Sequence, residues 1–185
     1  MIGRLYAFLL ILFVLPANAA APEWTVAQPG SHIEFSATHA GQAFTGRFQN
    51  WNGTIAFDES ALDQSHVEID VDMASAKTGD NYKDGTLPQE EWLDVKHFPK
   101  ARFEAKSFKS LGSGKYEANG SLTIKGKTVP LDLPFTLKIE GSNAVMSGAA
   151  KLDRIALGIG TKSDADAEWV SREIKVDVTV SARRN

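Results

Sequence analysis

A chain of 185 residues with 20 Lys and Arg against 23 Asp and Glu, a formal charge of −3 and no cysteine fits one globular domain, or two small ones at most. The missing cysteines exclude disulfide staples and thiolate chemistry. The basic residues are scattered, with no run beyond Arg183-Arg184, so nucleic acid is not an expected partner.

The first residues differ from the rest. Arg4 is followed by an unbroken apolar run from Leu5 to Leu15, then Pro16 and the small-residue box Ala17-Asn18-Ala19. That is the layout of a secretory signal peptide over residues 1–19. The run is too short to cross the roughly 30 Å hydrocarbon core of a bilayer as a helix. Export without disulfides points to a bacterial periplasm.

Beyond it, alternation with a period of two recurs along the chain, the mark of strands with one wet and one apolar face. In chain order the apolar faces carry Ile33, Phe35, Ala37 and His39, then Phe44, Gly46 and Phe48, then Ile55 and Phe57, then Val67, Ile69, Val71 and Met73. The stretch from Ala74 to Ala101 breaks the rule. Within it, residues 87–95 read as a short helix, with Pro88 in the first turn, Glu90 and Glu91 at the dipole's positive end, and Leu87, Trp92 and Val95 on one side. This excursion reads as a cap over one end of the β structure. Alternation resumes with Phe103 and Ala105, slips at Phe108 in the manner of a bulge, and continues through Tyr116, Ala118, Gly120, Leu122 and Ile124. The clearest run is Leu131, Leu133, Phe135, Leu137 and Ile139. Pro134 points outward there, and lacking an amide it belongs at a rim or seam. Ile174, Val176, Val178 and Val180 form the last strand.

Frequent turn signals between short strands predict an all-β, antiparallel barrel of about eight strands with a short helical cap, in one domain. The outer faces carry Glu68, Asp70, Asp72, Asp132, Lys138 and Lys175, the reverse of a lipid-facing barrel. A barrel of this size holds either a filled core or one small ligand, and composition leaves both open. No Gly-x-Ser-x-Gly elbow occurs, and His32, His39, His66 and His97 form no metal-binding pair by spacing.

Four stretches together carry a resemblance. They are the opening strands ending in Gly46-Arg47-Phe48, the run from Thr78-Gly79 and Lys83-Asp84 through Trp92-Leu93-Asp94 and Phe98-Pro99 to Phe103, the segment from Gly120-Ser121-Leu122 through Ile124 to Gly126, and Leu152, Arg154 and Gly158. These resemble the YceI-like polyisoprenoid-binding proteins over residues 23–183. The resemblance implies a lipocalin-like extended barrel whose tunnel holds an isoprenoid lipid, a quinone or a polyprenyl phosphate. It implies a periplasmic carrier with no obligatory cofactor and no catalysis, and it suggests a membrane b-type cytochrome or other membrane redox protein as partner. Lys83 stands where the family usually has Arg, and the acidic, insertion-like stretch 161–173 with Trp169 is a second departure.

An isoprenoid tail needs only dry apolar surface. The candidate contacts are the inward residues Phe35, Phe44, Phe48, Phe57, Val71 and Met73 of the first half, and Phe103, Leu122, Leu133, Phe135, Leu152 and Val176 of the second. Trp92 and Trp169 are candidate gates. For a head group the candidates are His39 at a strand end and the cations Lys83, Arg154 and Arg172, with Asp84 as an alternative structural partner of Lys83. Two other readings stand beside the carrier: a secreted interaction or stress module with a filled core, and a hydrolase with a site at the barrel mouth.

Overall fold

The structure, a computed structural model, describes residues 20–185; the expected signal segment lies outside them. Eleven strands run β1 (Trp24–Val26), β2 (His32–His39), β3 (Gln42–Phe48), β4 (Trp51–Ala56), β5 (His66–Asp72), β6 (Ala76–Lys77), β7 (Lys100–Gly112), β8 (Lys115–Ile124), β9 (Lys127–Glu140), β10 (Asn143–Asp153) and β11 (Glu173–Arg184), with one helix, α1 (Asn81–Thr86). They form a single curled antiparallel sheet in the order β4-β5-β7-β8-β9-β10-β11-β2-β3-β6, with β1 also on β11.

The sheet rolls up because three of its staves are broken ones. β1 and β2 both lie along β11. β3 and β4 follow one another across a break at Gln49-Asn50, and β6 follows β5 after one tight 3-10 turn at Met73–Ser75. β4 pairs with β5 while β3 pairs with β6, and Glu23 bridges to Ala56. The two ends of the sheet therefore meet. Three broken staves (β1–β2, β3–β4, β5–β6) and five continuous ones (β7 to β11) give the eight that the alternation predicts. Outward charges pair across neighbouring strands, as Arg102 does with Asp70 at 2.7 Å. The slip expected at Phe108 is a register shift between Ala105 and Ser107 in the β7–β8 ladder.

The helix lies elsewhere than predicted. Residues 87–95 are a chain of turns, and α1 precedes them. Asp80 starts α1 by accepting from the amides of Tyr82 and Lys83, a side-chain cap worth about 1 kcal/mol. Pro88 stops it, since proline has no amide to continue the ladder and clashes with the preceding turn. The turns after it close on themselves: Leu93 N donates to Leu87 O at 3.0 Å and Val95 N to Pro88 O at 3.1 Å.

One end of the barrel is filled by Trp24, Trp51, Phe57 and Tyr116, the other by Met73, Leu93, Ile124 and Leu157. The middle cluster is built on Ala105, Ala118, Leu133 and Ala150. Three of those four are alanines, and Phe103, Phe108, Leu131, Phe135 and Met146 pack partly buried against them.

Candidate ligand cavity

A cavity of about 270 Å³ runs through the barrel, and its lining exposes apolar atoms only. An apolar cavity of about 150 Å³ already takes up benzene, and drug-sized ligand pockets begin near 300 Å³. All five inward residues of β9, Leu131, Leu133, Phe135, Leu137 and Ile139, face this space.

The fold brings every inward candidate to this one space. Phe35, Phe44, Phe48, Phe57, Val71 and Met73 line it from β2 to the turn after β5, and Phe103, Leu122, Leu133, Phe135, Leu152 and Val176 from β7 to β11. Gly46 makes room for Phe35: a Cβ there would come within 2.2 Å of the Phe35 ring. Phe57 stands edge-on to Phe108 and Tyr116 at 5.5 and 5.4 Å, which fixes the aromatic end. The phenol of Tyr116 donates to Glu59 at 2.6 Å. Burial first, and then that carboxylate, push its pKa up to about 12.

Other candidates are placed differently. Trp169 is 62% exposed and does not line the cavity; its carbonyl accepts from Ala40 N at 2.7 Å, so its backbone is structural and its ring faces water. His39 also lies off the cavity, bridged through the backbone to Val170. Lys83 pairs with Asp80 at 2.7 Å and lies 5.5 Å over the Phe44 ring, on the outside of a lining residue. Asp84 does not hold Lys83. It accepts from the amide and the hydroxyl of Thr78 at 2.6 and 2.7 Å, and those bonds, the amide's foremost, hold its carboxyl below the usual range. Arg172 reaches outward to Asp153 at 2.9 Å.

Arg154 is at the cavity wall but its guanidinium is fully engaged. It is 1% exposed and donates to the carbonyls of Ser171, Ile159, Gly160, Asp164 and Val170 and to the Asp164 carboxylate. A guanidinium has five N–H groups, and these acceptors take them all. Arg154 thus holds the 155–172 loop in place of a head group. Burial raises the Asp164 pKa, but the amides of Val170, Trp169 and Glu168 and the Arg154 charge outweigh it and leave the carboxyl below its ordinary value.

Trp92 lines the cavity, 5.9 Å from the Arg154 guanidinium across its ring. It sits against Gly160, where φ is +67° and a Cβ would press on the indole at 2.8 Å. Two loops close over this end together. Gly160 N donates to Glu91 O at 2.9 Å, the amides of Lys162 and Ser163 donate to the Glu91 carboxylate at 2.9 Å, and the Lys125 ammonium bridges Glu91 O and Gly158 O at 2.9 Å each. Burial pulls the Lys125 pKa down.

Alternation missed several lining residues. Trp51 shares a parity with Ile55, which marks it in hindsight. Leu93, Leu157 and Ile159 sit in turns and bends and Val170 in an isolated bridge, without periodicity, and only the fold brings them inward. Among the described residues no group of three or more His, Cys, Asp or Glu gathers to hold a metal.

The whole-chain comparisons fit this geometry. The structure of BcnA from Burkholderia cenocepacia superimposes with a TM-score of 0.81 at 25% identity, covering 84% of this chain and 98% of that one. A polyisoprenoid binding domain from Saccharophagus degradans, implicated in plant cell wall breakdown, shares the fold with a TM-score of 0.68 at 14% identity over 90% and 100% of the two chains. A UPF0312 protein of Pseudomonas syringae pv. syringae is 30% identical over 129 residues, 68% of this chain and 67% of that protein. The YceI-like domain pattern matches residues 24–182, and the chain belongs to the YceI-like family.

Proposed function

We propose that the protein is an exported, non-catalytic carrier that holds an isoprenoid lipid in the barrel cavity, with a quinone as the head group. The observation that carries this reading is the cavity itself, a continuous apolar space from which polar atoms are missing. A branched hydrocarbon tail makes no hydrogen bonds and asks for such a space. Burying a few hundred Å² of it at about 25 cal/mol per Å² supplies several kcal/mol, less the cost of ordering the tail. The polyisoprenoid binding domain of the same fold supports the choice of ligand class.

The cations around the cavity favour a neutral head group over a polyprenyl phosphate. Arg154 has no donor left, Lys83 is paired with Asp80, and Lys125 is held by two carbonyls. The periplasm follows from the signal-like residues 1–19, and a quinone cargo calls for a membrane redox protein, such as a b-type cytochrome, as donor or acceptor. The test is native mass spectrometry of protein purified from periplasm, with solvent extraction of what it holds. A discrete adduct whose extract contains an isoprenoid quinone is expected. The bare mass, with no uptake of added ubiquinone, would sink the reading, and an extracted polyprenyl phosphate would correct the head group.

A further inference from the structure

The wall of the barrel is not hydrogen-bonded all the way round. β9 pairs with β10 only from Glu140↔Asn143 to Phe135↔Gly148. Both strands then continue, β9 back to Lys127 and β10 on to Asp153, without pairing. On their other sides the ladders are complete: β9 stays on β8 from Thr136 to Lys127, and β10 stays on β11 to Asp153. Residues 130–134 thus face residues 149–153 across an unzipped seam, roughly 16 Å long at about 3.3 Å per residue.

The sequence builds this seam. Leu137 N donates to Gly114 O at 2.8 Å on the β8 side, and no register shift interrupts β8–β9. The odd amides of β9 therefore point to β8 and the even ones to β10. Pro130 and Pro134 are both even, so the donors they lack are ones that would have bonded β10. The polar side chains on both lips also turn away from the gap. Thr128 bonds Thr123 and Asp132 accepts from Asn119, both on β8. Lys151 pairs with Glu173 and Asp153 with Arg172, on or beside β11. At the far end one bond, Lys127 Nζ to Ala156 O at 3.1 Å, ties β9 to the loop after β10. Beneath the gap lie Leu131, Leu133, Ala150 and Leu152, all cavity-lining.

Both barrel ends are shut by buried side chains, Trp24 and Phe57 at one and Leu93 and Leu157 at the other. Opening either would expose large apolar residues, and opening the Leu93–Leu157 end would also break the loop bonds around Glu91. Parting the seam breaks no backbone ladder. We propose that the β9–β10 seam is the lateral portal through which the apolar chain of an isoprenoid lipid enters and leaves the cavity. This rests on the carrier reading above.

The chain has no cysteine, so the seam can be stapled selectively. Asp132→Cys with Lys151→Cys, joined by a short bismaleimide, bridges the lips. Lys138→Cys with Val145→Cys, partners in the paired half, is the control. Ubiquinone-2 uptake is followed by stopped-flow quenching of tryptophan emission. The bridged lips should slow uptake and release at least tenfold with little change in Kd, and the bridged control should leave both alone. Pro130→Val with Pro134→Val restores the amides and needs no linker; it should slow uptake in the same direction. Rates unmoved by both the bridge and the proline replacements would overturn the portal while leaving the carrier intact. Failure of the unmodified protein to take up any ubiquinone or any polyprenyl phosphate would overturn the carrier reading, and the portal with it.

Discussion

Replacing Arg154 by Met leaves the Asp164 carboxylate buried without its cation and frees the carbonyls that the guanidinium gathers. Removing one partner of a buried ion pair costs about 3–5 kcal/mol, so Arg154→Met should lower the melting temperature at pH 7 by roughly 10 °C, measured by calorimetry. Acid should act on the same pair. The Asp164 pKa is depressed in the folded state, so its contribution is present above the unfolded value of about 3.9 and is lost as pH falls through the lower folded value. A pH series of thermal melts should show that acid loss, and Asp164→Asn should flatten it from a lower starting stability. Tyr116 works in the opposite sense. Its raised pKa stabilises the fold below about pH 10, and the gain disappears as pH climbs towards about 12; Tyr116→Phe should remove that alkaline loss. The role of Arg154 could not be read from the sequence, which showed a cation beside an apolar strand. Apart from the Asp164 carboxylate, its acceptors are backbone carbonyls of residues 159–171, and backbone acceptors leave no residue signature.

At the scale of elements, Gly46 is a position where the β2–β3 hairpin gives up a side chain so that Phe35 can lie across the cavity. Gly46→Val should force Phe35 off its rotamer and cost about 1–3 kcal/mol, visible as a lower denaturant midpoint together with a changed near-ultraviolet dichroism. The strands were legible because half-buried strands write their burial as a period of two, and Val67, Ile69 and Val71 did so against Glu68, Asp70 and Asp72. The cap was not. Residues 87–95 have a helical composition, but Pro88 follows a helix already begun at Asp80, and a short connection tied down by the Leu93–Leu87 and Val95–Pro88 bonds needs no helix. Pro134 was marked as a rim or seam position by its missing amide. Its meaning lies in the pairing, with the β8 side of the strand bonded and the β10 side open.

For the molecule as a whole, composition leaves both a filled core and a tunnel open, because inward alanines serve both. The structure decides by position: Ala118 and Ala150 sit at one level of the barrel and line the cavity. Ala118→Leu should fill part of it. The unliganded protein should stay folded and melt about 2–12 °C below the parent, given an overpacking cost of about 1–3 kcal/mol, while ubiquinone-2 affinity falls at least tenfold by equilibrium titration.

The order in which the staves meet also sets an order in time. β7 to β11 pair with their chain neighbours, and β7, β8, β9 and β10 are joined by turns of a few residues. β2, by contrast, finds β11 across more than a hundred residues, Phe35 opposite Val176. Contacts between near neighbours form early, and distant ones wait for the loop entropy to be met. β11 is the hinge of this sequence, since β10, β2 and β1 all pair with it. Until β11 pairs with β2, the β7–β10 meander is an open sheet with its apolar face uncovered. During that interval the future cavity is a trough, open along the side that the pairing of β11 with β2 closes last.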